Sequence, residues 1–367
     1  MSSVVVVGGG PWARLAAWRL ARAGRDVALI AGPQTPAGAV AAGMLGPRSE
    51  ADERDPALYP LLAAAFAGWP LLADEVAADS GTDPGLRICG CLHVAARREH
   101  IAAIRHHAAA LAALGTPAEW LPGSTLRELE PGLGGVAGGL LLPEEGEIDP
   151  RRLMAALVRA GTRSGVRTVD AVGVEVIRGD GGRAAAVRDG QGRVHRGDTV
   201  VVAVGHPAPP PAGLVPIRPV KGQILRLRVP PDADVPLIRT VRTPEVYVVP
   251  RRAEEIAVGA TVEEASDRRV TAGAALDLLE AAVAVCPELR ELELHEASAA
   301  PRPATPDGRP AIGRDPHDGV FWAAGGHRHG ILLAPLVAQG IDADLRGAPI
   351  PAALGGLAPG RFAAVRA

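Results

Sequence analysis

Residues Gly8, Gly9 and Gly10 follow a run of four valines, Val4 to Val7, and precede Pro11, Trp12 and Ala13. The spacing Gly8-x-Gly10-x-x-Ala13, placed between a strand and a helix, is that of a dinucleotide-binding turn. Gly8 permits the tight turn, Gly10 lets the backbone approach a pyrophosphate, and Ala13 allows the helix to pack closely. The start of the helix adds N–H donors and the positive end of its dipole. An acidic residue is expected about 20 residues further on to hold ribose hydroxyls, but the second strand ends in Ala31 and Gly32. Losing one charged hydrogen-bonding partner costs about 1.5–3 kcal/mol, which a ligand with many other contacts tolerates. The fingerprint alone does not separate FAD from NAD. Elsewhere, Cys89 and Cys91 have no second cysteine pair, and His327 and His329 have no carboxylate or thiol at ligand spacing, so no metal site is expected.

The elements needed to position these residues are legible in the hydrophobic pattern. Val4 to Val7, the segment Trp12 to Ala23 and Val27 to Ala31 read as one βαβ unit, with Pro11 at the helix start and Gly24 just past its end. Helical segments are expected around 61–78 and 99–114, with a strand between them over 86–95. A helix over 151–164 leads into alternating segments and a second apolar strand, 199–204, ending at Gly205. The Pro-rich stretch from His206 to Pro216 reads as a linker. Strands near 224–227, 246–249 and 256–259 suggest an antiparallel sheet, followed by a helix over 274–286, a late strand over 319–324 and a helix over 331–341. The inference is an α/β (α+β) chain: a parallel-sheet nucleotide domain built from separated stretches, with a mixed-sheet unit inserted between them.

Composition narrows the class. The 367 residues, 47% of them hydrophobic, suffice for a large buried core. With 39 basic and 41 acidic residues the charge balance gives no general reason to bind nucleic acid or an anionic membrane. The apolar stretch from Leu61 to Ala73 is interrupted by Gly68 and Pro70 and falls short of the roughly 20 residues a span needs. The N-terminus lacks a basic n-region. A cytoplasmic location is the expectation, with self-association into a homo-oligomer left open. Aromatics make up only 3% of the chain, so Tyr247, one of two tyrosines beside Tyr59, carries more information than usual.

Several segments, in order along nearly the whole chain, resemble the thiamine-pathway glycine oxidases of the D-amino-acid oxidase and sarcosine oxidase family. They are the start through Ala21, Ala41-Ala-Gly-Met-Leu45, Asp149-Pro-Arg-Arg-Leu153, Pro219-Val-Lys-Gly-Gln-Ile-Leu225, Tyr247-Val-Val-Pro-Arg251 with Val258-Gly-Ala-Thr-Val-Glu263, Arg302-Pro-Ala-Thr-Pro-Asp-Gly308, and Gly325 to Pro335. The resemblance implies the glutathione-reductase-like FAD-binding Rossmann domain over 1–55, 136–212 and 300–367, and a substrate domain over 56–135 and 213–299. It implies oxidation of glycine or a similar small amine by hydride transfer to the flavin, with O2 reduced to H2O2 and the imine hydrolysing to glyoxylate and ammonia, in a role tied to thiamine thiazole formation. Arg302, Arg328 and Tyr247 take the substrate carboxylate in this reading; Gly43 and Met44 lie near the flavin ring, and Gly205, Gly330, Ile331 and Leu332 fall on the cofactor side. Lys221 reads equally well as a site residue or as a solvated lysine at a strand start.

The departures from the family pattern cluster on the cofactor side. Besides Ala31, Thr35-Pro-Ala-Gly38 replaces a Gly-x-Ala-Ser turn, Val204-Gly205-His206-Pro207-Ala208 replaces an Ala-Gly-Ala-Trp-Ser segment, and His329 stands where the family has Asn. Two alternatives therefore stand beside a glycine oxidase: a relative acting on an N-substituted glycine in specialised metabolism, and a non-catalytic homologue with weakened FAD binding. An NAD-dependent dehydrogenase rests on the fingerprint alone and leaves the C-terminal segment unexplained.

Overall fold

The computed structural model describes residues 3–179, 182–206, 215–231, 237–252 and 254–366, without the side chains of 185 and 363–366. Most of the expected 206–216 linker therefore lies outside the described residues. The four valines are buried on both faces, as a central strand of a parallel sheet requires, and Ser3–Val7 lies inside a six-stranded sheet. Asp26–Ala31 and Thr199–Val202 flank it in parallel, with Val7 level with Ile30 on one side and Val202 on the other. Arg167–Asp170 lies beyond the first, and Phe321–Ala324 and Ala311–Arg314 beyond the second. Strands that begin at residues 3, 199 and 321 thus stand side by side, and their C-terminal ends open onto a common crevice.

Helix Pro11–Arg22 packs its apolar face under this sheet, Ala13, Leu15, Ala16 and Trp18 being almost wholly buried. Helices Leu58–Ala67 and Trp69–Ser80, which the sequence reading grouped with the substrate unit, put Leu61, Leu62, Ala65, Trp69, Leu72 and Val76 into the same core. Together these two helices are long and apolar enough to cross a membrane by length and composition; here Gly68 separates them, and the residues named above pack into the same core as helix Pro11–Arg22.

A second sheet has eight strands, in the order Glu293–Ala304, Arg218–Arg228, Glu255–Gly259, Tyr247–Arg251, Thr240–Arg242, Cys91–Val94, Gly138–Leu142 and Trp120–Pro122. It is mixed: Thr240–Arg242 runs parallel to Cys91–Val94 and the other neighbours are antiparallel. Helix Ala272–Val285 covers one face, burying Leu278, Ala282 and Val285 among Leu225, Leu227, Val248 and Val258. The single strand expected over 86–95 is two, Leu86–Arg87 and Cys91–Val94, in different sheets. Gly90, at φ +81°, turns the chain between them and donates its N–H to the Glu145 carbonyl at 2.7 Å.

The helix pair is tied to the C-terminal segment by the Trp69 indole, which donates to the buried Leu332 carbonyl at 3.0 Å. Trp69→Phe keeps an aromatic ring and leaves that carbonyl unpaired, a loss of about 1–3 kcal/mol. We expect a lower urea midpoint at unchanged m-value; an unchanged midpoint contradicts the assignment.

Candidate active site

One cavity of about 790 Å³ runs from the glycine turn to the second sheet. Gly8, Gly10, Gly43, Met44, Gly205, Tyr247, Arg302, Arg328, Gly330, Ile331 and Leu332 all line it, so the structure brings together residues from the glycine turn, the 41–45 segment, the second sheet and the C-terminal segment, while the 149–153 segment lies away from it. Ala13 is the exception. It is fully buried behind Gly8, where its small side chain lets helix and turn approach.

At the nucleotide end Gly8 has φ +136°, and a Cβ there would sit 2.2 Å from the Ala203 carbonyl oxygen, so no other residue fits. Gly10 caps helix Pro11–Arg22 without a side-chain hydrogen bond, and the first turn carries no acidic residue. The first residues of the helix line the cavity, the arrangement that receives phosphate. Beside the turn, Arg14 Nε donates to the Gly9 carbonyl at 3.0 Å and adds a positive charge. Where the ribose-binding acid is replaced, Val172 packs over Gly32, and the polar side chains of Gln34 and Thr35 line the cavity instead.

The middle of the cavity is walled from both ends of the sequence. Trp12 reaches from the first helix to the C-terminal segment, Nε1 donating to the Gly330 carbonyl at 2.6 Å. Gly43 is held at φ +73° with no room for a Cβ beside the Ile148 carbonyl, which sets the following Met44 on the wall. Side chains at Gly205 and Gly330 would meet no atom closer than 4.0 Å; space there is open to an occupant. His329 is 8% exposed, its Nδ1 has no partner among the described residues, and burial pushes its pKa down. A phosphate cradle, a flat glycine-lined wall and an unpaired buried ring nitrogen fit FAD.

At the far end lie three arginines. Arg302, on strand Glu293–Ala304, donates from Nη1 to the Thr261 carbonyl at 3.1 Å and to the Lys221 carbonyl at 3.4 Å. Its guanidinium occupies the space over Gly222 on the neighbouring strand, where an added Cβ would come within 2.3–2.5 Å of it. Tyr247 lies over Gly259 in the same manner, its hydroxyl 2.6 Å from where a Cβ would be. Burial, then the neighbouring charges, governs both: Tyr247 is pushed up and stays protonated, while Arg302 is lowered but, as an arginine, keeps its charge. Arg328 at the mouth pairs with Glu50, Nη2 to Oε2 at 3.0 Å, and Arg242 pairs with the other oxygen of Glu50 at 2.7 Å. Against the effect of burial, these two arginines hold Glu50 well below the usual carboxylate range. His327 is pushed down to about 4 by burial and then by Arg302, so it is neutral near pH 7.

Behind Glu50, the 48–49 turn is held by Glu145, which accepts from the Arg48 and Ser49 backbone N–H groups at 2.7 Å and from the Ser49 hydroxyl. Ser49 also meets His93 Nε2 at 2.8 Å. Lys221 is not solvated, and it does not line the cavity. It is 2% exposed and clamped by Asp267 at 2.9 Å and Glu263 at 3.4 Å. Sequence reasoning missed Gly222, Gly259, Glu50 and Arg242. A glycine inside a strand signals a close approach, which could have found the first two; Glu50 and Arg242 lie in no motif.

Comparison with known proteins gives one family. The sequence model of the family described as FAD dependent oxidoreductase matches residues 3–342. The chain is similar to a glycine oxidase of Geobacillus kaustophilus, 33% identical over 345 residues, covering 91% of this chain and 90% of that one. The crystal structure of glycine oxidase from Geobacillus kaustophilus superposes with a TM-score of 0.85 at 29% identity, over 98% of each chain. That of iminodiacetate oxidase from a Chelativorans species superposes with a TM-score of 0.83 at 26% identity, over 97% of this chain and 98% of that one.

Burial pushes Glu145 from 4.5 up to about 7, against the opposing pull of Ser49 and Arg242. A carboxyl that keeps its proton longer in the folded state stabilises fully below its unfolded pKa and loses that contribution as pH rises through the folded one. We expect unfolding free energy to fall between about pH 4.5 and pH 7 more steeply in the native chain than in Glu145→Gln; equal slopes in urea melts contradict the assignment.

Proposed function

Since the chain belongs to the FAD-dependent oxidoreductase family, we propose that it is an amine oxidase acting on glycine or a similarly small amino acid. The observation that carries this reading is the meeting, in one cavity, of a phosphate cradle with a half-buried guanidinium and phenol at the opposite end. In this reading the FAD-binding unit is drawn from 1–55, 136–212 and 300–367 and the substrate unit from 56–135 and 213–299, except that helices 58–67 and 69–80 pack with the FAD-binding unit and strand Gly138–Leu142 belongs to the second sheet.

Arg302 receives the substrate carboxylate. A planar guanidinium offers two parallel N–H bonds, which fix direction as well as charge, and the Lys221 and Thr261 carbonyls already hold this one in place. Tyr247, protonated and lying beside it, donates to the same carboxylate, and Arg328 adds a second positive charge at the mouth. Gly8 and Gly10 with the first turn of the helix hold the pyrophosphate; Ala13 keeps that helix close. Gly43, Met44, Gly205, Gly330, Ile331 and Leu332 wall the ring. When bound, FAD supplies the hydride acceptor for the substrate Cα–H and passes the electrons to O2, giving H2O2. An anchored carboxylate fixes where its neighbouring carbon lies, so orientation does much of the catalytic work. With the amine neutral on reaction, no side-chain base is required. The imine hydrolyses to glyoxylate and ammonia, or serves as the imine donor for thiamine thiazole formation.

A second reading, oxidation of an N-substituted glycine, is favoured by the likeness to the iminodiacetate oxidase. The retained arginines and tyrosine weigh against a non-catalytic homologue.

Purified protein incubated with FAD is expected to show flavin absorbance bands and to form peroxide with glycine, sarcosine or D-alanine; protein that stays colourless with excess FAD contradicts the reading. Arg302→Lys is expected to lower kcat/KM by about 10- to 100-fold, the effect of losing a charge-assisted bidentate pair. Gly222→Ala, which pushes on the same guanidinium without touching its charge, is expected to raise KM more than it lowers kcat. Unchanged KM in both variants removes Arg302 from the site.

A further inference from the structure

Two carbonyls aim the Arg302 guanidinium, and the shorter contact comes from a loop. The Lys221 carbonyl, in strand Arg218–Arg228, accepts at 3.4 Å; the Thr261 carbonyl accepts at 3.1 Å. Thr261 lies in residues 260–271, irregular chain that joins strand Glu255–Gly259 to helix Ala272–Val285 and is bridged to Lys221 at Glu263. Such connections are ordinarily among the more mobile parts of a fold. Here one of them supplies the better acceptor for the group that the proposed function assigns to the substrate carboxylate, so something must hold it still.

The hold comes from strand Arg218–Arg228. Side chains alternate between the two faces of a strand, and the bare face of Gly222 is the one that meets Arg302, so Lys221 and Gln223 project from the opposite face. Both are buried, and neither lines the cavity. The Lys221 ammonium meets Asp267 at 2.9 Å and Glu263 at 3.4 Å. The Gln223 amide donates to Glu263 at 2.7 Å and accepts from the Thr271 backbone N–H at 2.8 Å. Thr261 completes the set: its hydroxyl accepts from the Gln223 backbone N–H at 2.9 Å and donates to Glu263 at 2.5 Å. The loop is therefore held at residue 261, at 263 and 267, and at 271, by the two neighbours of the glycine under Arg302. A buried ammonium and amide are costly to the fold unless their partners are in place; these have them, and all the partners are in one loop.

We propose that Lys221 and Gln223 are positioning residues for substrate binding: by clamping the 260–271 loop they fix the Thr261 carbonyl, and that carbonyl holds the Arg302 guanidinium in the orientation that receives a carboxylate. They act through Arg302 and not on the substrate. A guanidinium held in place beforehand loses less freedom when its partner arrives, so the clamp is read out in carboxylate affinity. This rests on the amine-oxidase reading above and adds to it the residues that make its carboxylate site rigid.

The test is titration of FAD-loaded protein with glycolate, followed by the change in flavin absorbance. Lys221→Met keeps the length of the side chain and removes its charge; Gln223→Met keeps the shape and removes both amide bonds. We expect each to raise the glycolate Kd about tenfold while FAD affinity stays within about twofold of native. Where the uncompensated Glu263 and Asp267 keep Lys221→Met from folding, the neutral Gln223→Met carries the test alone. In an Arg302→Lys background Gln223→Met should add less than about twofold, because residues that act through one group are not additive. An unchanged glycolate Kd in Gln223→Met, a parallel loss of FAD affinity, or the full loss repeated on top of Arg302→Lys overturns the positioning role and leaves the amine-oxidase reading standing. FAD-loaded native protein that does not bind glycolate, or Arg302→Lys that binds it as tightly as native, overturns the carboxylate site on which the clamp depends.

Discussion

A guanidinium lies where a side chain at residue 222 would be, and the rest of the site is arranged around that fact. Strands Arg218–Arg228 and Glu293–Ala304 pair along their length, with Gly222 opposite Ala300, which sets Arg302 close enough to fold its guanidinium back over the bare glycine backbone. Gly259 gives Tyr247 the same freedom one strand further on. Two glycines within these strands weaken the sheet locally and open its face. In the proposed function, that concavity admits a small carboxylate.

The second constraint is that this face must meet the cofactor cradle. Trp12 joins the first helix to Gly330, Trp69 joins the helix pair to Leu332, and Glu50 joins the mouth arginine of the C-terminal segment to Arg242 of the second sheet. The C-terminal segment is thus held from several sides. Glu145 takes part at one remove: it fixes the 48–49 turn, and Glu50 follows that turn directly. A buried carboxyl pushed up to about 7 is a cost the fold carries to keep that turn in place.

Much of this was legible in the residues themselves. The four-valine strand, the glycine turn and the helix after it follow from local pattern, because hydrophobic period and glycine geometry are local properties. That the chain folds into a nucleotide sheet drawn from separated stretches and a mixed sheet was also accessible, and Arg302, Arg328 and Tyr247 line the same cavity as the glycine turn. What sequence could not supply was contact across the chain. Lys221 sits in the Pro219–Leu225 segment yet is locked to Asp267, 46 residues on. Arg242 and Glu50 are 192 residues apart and become partners only when the second sheet closes over the 48–50 turn. Helices 58–67 and 69–80 read as apolar, but nothing in their pattern states which of two cores they join. The break at Gly90 was readable in principle, since a glycine inside an apparent strand marks a bend.

The central claim is that a carboxylate held by Arg302 places its neighbouring carbon against the flavin. A crystal structure of the protein with FAD and glycolate, a carboxylate of the substrate's size without its amine, tests it most directly. The account predicts the glycolate carboxylate paired with the Arg302 guanidinium beside Tyr247, its carbon chain turned toward the flavin ring next to Met44. Glycolate bound away from Arg302, or a flavin ring walled off from that arginine by protein, would contradict it.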